Sequence, residues 1–128
     1  MKLLLDTHLL LWAAGQPDRL SATACSLLED EDNTLLFSAA SLWEVTIKSD
    51  LGRADFRVDS RLLRRGLLDN GYLELPITHQ HVLSLKGLEP RHRDPFDRML
   101  IAQSMAEGIT LVTTDPVVAQ YAGLVKQV

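Results

Sequence analysis

The chain has 128 residues, 46% of them hydrophobic and 23% charged. That is the make-up of one packed, water-soluble domain over residues 1–128, and it excludes a disordered tail. Seventeen acidic against thirteen basic residues leave a net charge of −4, which excludes a uniformly basic nucleic-acid-binding coat but not a local basic patch. A single cysteine, Cys25, excludes an internal disulfide and a multi-thiolate zinc site, and points to a reducing compartment such as the cytoplasm.

Leu3-Leu4-Leu5 predicts a short buried strand. The same run could open a signal peptide, but Asp6 and His8 interrupt it. No apolar run is long enough to span a bilayer. A helix over residues 8–14 ends at Gly15-Gln16-Pro17, and Ser21 caps a second that runs to about Glu31. Thr34-Leu35-Leu36-Phe37 is the next strand, after which Ser38 or Ser41 opens a helix to about Leu51-Gly52. A helix over 60–68 closes at Asn70-Gly71, and Tyr72-Leu73-Glu74-Leu75 forms a third strand ended by Pro76. Helices are expected around 79–86 and 95–107, the latter closed by Gly108 and apolar on most of its circumference (Phe96, Met99, Leu100, Ile101, Ala102, Met105, Ala106). Ile109-Thr110-Leu111-Val112 is a fourth strand, Pro116 starts a short helix, and Leu124-Val125 is a candidate fifth strand. Strands that alternate with helices and lack a polar face predict an α/β fold, a parallel sheet covered by helices on both sides.

In such a sheet ligands bind beyond the carboxyl ends of the strands, and four acids fall there. Asp6 follows the first strand, Glu44 lies near the start of the helix after the second, Asp97 is in the first turn of the apolar helix, and Asp115 follows the fourth strand. Each has a purely structural alternative. Asp6, Asp94 and Asp115 are helix caps by position, the last two followed by proline. Ser41-Leu42-Trp43-Glu44 has capping-box spacing, and Glu44 with Lys48 makes an i,i+4 ion pair. Capping does not explain why all four gather at one edge. Close carboxylates repel unless a cation offsets them, and oxygen ligands without thiols suit Mg²⁺ or Mn²⁺.

The residues also carry a resemblance. Leu4-Leu5-Asp6-Thr7-His8, Ser41-Leu42-Trp43-Glu44-Val45-Thr46-Ile47-Lys48, His92-Arg93-Asp94-Pro95-Phe96-Asp97-Arg98-Met99-Leu100-Ile101-Ala102-Gln103 and Leu111-Val112-Thr113-Thr114-Asp115 resemble, in order and spacing, the PIN-domain proteins. Within that family they look like the VapC-type toxins of toxin–antitoxin pairs. The resemblance implies a three-layer α/β/α fold with a parallel sheet of about five strands, and a metal-dependent ribonuclease. It places Asp6, Glu44 and Asp97 at the family's main acids and Asp115 at a more variable fourth. Asp6 and Asp97 would be the principal Mg²⁺ ligands, with Asp115 or Glu44 helping to hold a second ion. It further implies an antitoxin partner and a homodimer.

Thr7, Thr113 and Thr114 either hydrogen-bond these acids or satisfy turn backbone. The four histidines show no pairing next to the acids, and His79 with His81 cannot share a helix face. Of two basic clusters, Arg91-His92-Arg93-Arg98 flanks Asp97, so Arg93 and Arg98 are expected to contact RNA phosphates. The cluster Arg53-Arg57-Arg61-Arg64-Arg65 reads as a solvated face or a docking surface. Trp12, Trp43 and Phe96 are expected in the core rather than stacked on bases. Two other functions fit less well: a PIN fold that binds RNA or protein without cleaving, and a receiver-type regulatory domain. The latter needs a paired acid near Asp6 and a lysine after the last strands, where only Lys126 stands.

Overall fold

The computed structural model describes residues 1–52, 57–121 and 123–128. Five strands, β1 (Lys2–Leu5), β2 (Thr34–Ser38), β3 (Leu73–Leu75), β4 (Thr110–Thr113) and β5 (Val125–Gln127), form one sheet in the order β3-β2-β1-β4-β5. All neighbours pair parallel, as the unbroken apolar strands require. Among the described residues six helices connect them: α1 (Thr7–Gly15), α2 (Ala22–Glu29), α3 (Ala39–Asp50), α4 (Ser60–Asp69), α5 (His79–Ser84) and α6 (Pro95–Glu107). Short 3₁₀ turns follow α1, α5 and β4. No described helix is long and apolar enough to cross a membrane.

Successive side chains of a strand face opposite ways, and β1 shows what that does here. Leu3 and Leu5 pack with Leu9 and Leu10 of α1, Ala24 of α2, Val45 of α3, and Leu63 and Leu67 of α4. Leu4 points the other way, among Met99, Leu100 and Ile101 of α6 and Leu111 of β4. One apolar strand thus separates two cores, and the fold is the three-layer arrangement expected from the sequence.

The chain runs outward from β1 through β2 to β3, then crosses back to lay β4 on the other side of β1. The order therefore reverses between β1 and β4, the point at which open α/β sheets form a ligand-binding crevice beyond the strands' carboxyl ends. Asp6 and Asp115 stand at those two ends.

One sequence expectation shifts. Helix α6 is buried from Met99 to Ser104, but Met105 is 54% exposed and Ala106 is also exposed. The polar residue Gln103 is fully buried in their stead. Its Oε1 accepts from the Ser38 hydroxyl at 2.6 Å and its Nε2 donates to the Pro76 carbonyl at 3.4 Å, so the amide fixes α6 against the end of β2. Among the described residues every buried side-chain nitrogen and oxygen has a partner. Gly108 ends α6 in the left-handed conformation (φ 66°), where a side chain would be strained.

Replacing Gln103 by Leu should keep the volume but leave the Ser38 hydroxyl proton without its acceptor. The expected loss, about 1–3 kcal/mol for a buried unsatisfied group, is measurable by urea unfolding; a variant as stable as wild type would contradict this account of the α6–β2 contact.

Candidate functional site

Four acids reach the crevice by different local devices. Asp6 leaves β1 and caps α1, its Oδ1 accepting from the Leu9 N–H at 2.9 Å. Its Oδ2 accepts from the Thr113 hydroxyl at 2.7 Å and the Thr114 N–H at 3.3 Å. Burial pushes the Asp6 pKa up, against the lowering effect of those bonds and of His8. Asp6 is thus both a cap and the tie between β1 and β4.

Glu44 is almost wholly buried in the second turn of α3. Its Oε1 accepts from the Thr7 hydroxyl at 2.7 Å, and its Oε2 pairs with Lys48 Nζ at 2.6 Å. The i,i+4 pair expected from the sequence is present, but the capping box is not. Ser38, not Ser41, caps α3, through the Ala40 N–H, and Ser41 lies 2.9 Å from Thr7 Oγ1. A capping box needs its acid at the third helical position, whereas Glu44 sits sixth and reaches across to α1.

Asp94 caps α6, accepting from the Phe96 and Asp97 N–H groups at 2.8 and 3.2 Å with Pro95 in the first turn. This aims Asp97 into the crevice. The pKa of Asp97 is raised from 3.8 to about 7, first by burial and then by the negative charges of Asp94, Glu44 and Asp6, with His92 acting the other way. Asp115 Oδ1 accepts from the Val117 N–H at 2.8 Å. Desolvation raises its pKa, but that bond and the His92 imidazole more than offset this and hold it below the ordinary value.

The expectation that no histidine stands with the acids is corrected. His92 Nε2 lies 3.0 Å from Asp97 Oδ2 and 3.1 Å from Asp115 Oδ2, and ligand atoms of these three residues fall within 4.8 Å of one another. Asp97 and Asp115 therefore share one place directly, while Asp6 and Glu44 bear on Asp97 through their charge. No spacing rule points to His92, because an irregular loop delivers it. The threonines divide as well: Thr7 bonds Glu44, and Thr113 and Thr114 bond Asp6.

Arg98 differs from expectation. Its guanidinium turns onto the loop before α6, donating to the carbonyls of Glu89 at 2.9 Å, His92 at 3.2 Å and Leu88 at 3.4 Å, so it builds the loop rather than reaching outward. Arg93 is exposed beside the site. In the other basic cluster Arg64 pairs with Glu74 through two bonds, Arg57, Arg61 and Arg65 are exposed, and Arg53 lies outside the described residues. Trp43, expected in the core, is 53% exposed and meets Phe96 edge to face at 4.9 Å. It is adjacent to buried Glu44 on a helix, so the two must face different directions.

The residues fit a hard divalent cation. The donors are carboxylate oxygens, and Cys25 stands apart on α2. Burial and then the surrounding negative charge raise the Asp97 pKa to about 7, and a bound cation would relieve that.

A sequence model of the PIN domain matches residues 3–124. The chain belongs to the PIN domain family. No curated protein sequence matches it, whereas several solved PIN-like folds do. Among them is a chain of the VapBC2 complex from Rickettsia felis bound to a DNA fragment from its promoter (TM-score 0.72, 14% identity, covering 99% of this chain and 98% of that one). Another is from VapBC-1 of nontypeable Haemophilus influenzae (TM-score 0.65, 19% identity, covering 99% and 98%). A third is a domain of a functionally unknown protein from Methanocaldococcus jannaschii (TM-score 0.61, 16% identity, covering 99% and 90%). At these identities the likeness is one of fold.

The raised Asp97 pKa has a consequence for the metal-free PIN domain. Its folded value of about 7 lies above the ordinary 3.8, so the fold favours the neutral form. The stability this contributes is complete below about pH 4 and is lost as pH rises through 7. In EDTA at pH 8, Asp97→Asn should therefore be more stable than wild type by about 1–4 kcal/mol, one pKa unit being about 1.4 kcal/mol, and the gap should close toward pH 4. Urea unfolding at several pH values measures it; a gap that widens on acidification would contradict the assignment.

Proposed function

We propose that this chain is a Mg²⁺-dependent endoribonuclease, the toxin of a VapBC-like toxin–antitoxin pair, with Mn²⁺ as a competent substitute. The observation that carries the reading is the meeting of Asp97 and Asp115 at the β1–β4 crevice, with Asp6 and Glu44 close enough to act on Asp97. Asp97, Asp115 and Asp6 would hold the cation. When bound, it supplies a water of lowered pKa and neutralises charge on the scissile phosphate.

The protein's own part is positioning and electrostatics. Asp6 is fixed by three donors, so its free lone pairs keep one direction. Glu44, with one oxygen on Thr7 and the other on Lys48, locks the start of α1 to α3 and adds to the negative field at Asp97. Arg93, exposed at the mouth, suits a phosphate of the RNA backbone, a contact that positions the strand without reading its sequence. Water attacking in line leaves a 5′-phosphate and a 3′-hydroxyl, since the 2′-hydroxyl takes no part.

The partner reading rests on two neighbours named as VapBC complexes. On that basis the chain would be paired with a cognate antitoxin; the resemblance to VapC-type toxins further suggests a homodimer, and the lone cysteine and 128-residue length suggest a single cytoplasmic domain.

Asp6→Asn and Asp97→Asn should each reduce RNA cleavage at least about a hundredfold, the scale of losing a group that stabilises the transition state, while circular dichroism stays unchanged. EDTA should abolish cleavage and Mg²⁺ restore it. RNA left intact by the folded wild type in Mg²⁺ and in Mn²⁺ would favour a PIN fold that binds without cutting.

A further inference from the structure

The loop that carries His92 is pinned from several sides. Arg98 donates to the carbonyls of Leu88, Glu89 and His92. The Tyr121 hydroxyl donates to the Glu89 carbonyl at 2.8 Å and accepts the His92 N–H at 2.7 Å. The ring is oriented in turn, for the Asp94 N–H donates to His92 Nδ1 at 3.1 Å. With the Nδ1 lone pair used as acceptor, the ring proton of the neutral imidazole lies on Nε2. That nitrogen faces Asp97 Oδ2 and Asp115 Oδ2 at 3.0 and 3.1 Å.

This tautomer bears on what His92 can do at a metal site. A histidine ligand must present a lone pair, not a proton, and its other nitrogen is then the donor. Here that would set a proton on Nδ1 against the Asp94 N–H, two donors facing each other. The loop thus selects the tautomer that does not bind metal. An Nε2–H donated to Asp115 Oδ2, with Asp97 Oδ2 3.0 Å from the same nitrogen, does in part what a cation does, easing the repulsion between the two acids.

We infer that His92 is a positioning residue that keeps the cation's place: its Nε2–H is donated to Asp115, with Asp97 Oδ2 beside the same nitrogen, in the metal-free protein, and a divalent ion binding those oxygens must displace it. The inference rests on the metal-dependent reading above. It gives the site a resting arrangement in which the acids are already gathered, at the cost of a weaker affinity for the ion.

Mn²⁺ titrated into the metal-free full chain at fixed pH, followed by calorimetry or by loss of the free-ion EPR signal, tests this without reference to cleavage. His92→Ala removes the competing donor and should tighten Mn²⁺ binding about tenfold, or about 1.4 kcal/mol, the scale of one net hydrogen bond to a charged group. His92→Gln keeps an amide N–H and should stay within about threefold of wild type. Weaker binding by His92→Ala would make His92 a ligand, and unchanged binding would make it a bystander. Either result overturns the inference while leaving the metal site standing, because wild type still binds. Failure of wild type itself to bind Mn²⁺ overturns both. Should His92→Ala not fold, ¹⁵N NMR of the unaltered chain decides the matter. The imidazole should be the Nε2–H tautomer without metal, and its hydrogen-bonded proton should begin to exchange with water once Mg²⁺ saturates the site. An Nε2–H that stays bonded at saturating Mg²⁺ overturns the inference.

Discussion

Asp6 is buried where β1 ends, and three donors hold its carboxylate there: the Leu9 N–H that begins α1, and the Thr113 hydroxyl and Thr114 N–H that end β4. The rest of the site depends on this join. It closes β1 onto β4 at the point where the strand order reverses, and it makes one charged group serve as helix cap, strand tie and electrostatic wall. A buried carboxylate is costly unless hydrogen-bonded. Even with three bonds, burial raises the Asp6 pKa, so the fold retains a charge it does not fully compensate.

The same imbalance recurs at Asp97, where the negative charges of Asp94, Glu44 and Asp6 add to burial. Two groups offset it in part. Lys48 pairs with Glu44 from the next turn of α3, and His92 donates to Asp115 with Asp97 beside the same nitrogen. Neither is a cation at the centre of the cluster. A protein of net charge −4 has concentrated much of its acidity where a divalent ion would be most useful, and that ion would also change how the crevice meets a polyanion. On the proposed reading an acidic nuclease is thus no contradiction, since the positive charge the phosphate needs would come from solution.

Much of this was legible in the sequence because much of it is local. The apolar strands, the caps at Asp6 and Asp94, Pro95 in the first turn, Gly108 at the helix end and the Glu44–Lys48 pair all follow from residues within four positions of one another. The sheet edge that gathers the acids followed from strand–helix alternation and the PIN-like motifs. What was not legible depends on contacts between distant segments. Glu44 matches a capping box until Thr7, 37 residues away, shows where its oxygen goes. Trp43 looks like a core residue until α3 is seen to bury Glu44 and Val45 and leave the indole out. The burial of Gln103 depends on Ser38, 65 residues away, which is its partner. His92 and Arg98 belong to a loop whose shape no periodicity describes.

The claim that these acids hold a divalent cation is tested most directly by crystals of the wild-type protein grown with Mn²⁺, measured at a wavelength where manganese scatters anomalously. The account predicts one anomalous peak in the crevice beyond β1 and β4, in direct contact with Asp97 and Asp115 and reaching Asp6 directly or through one water. A peak elsewhere on the protein, or none at saturating Mn²⁺ with these side chains ordered, would contradict it.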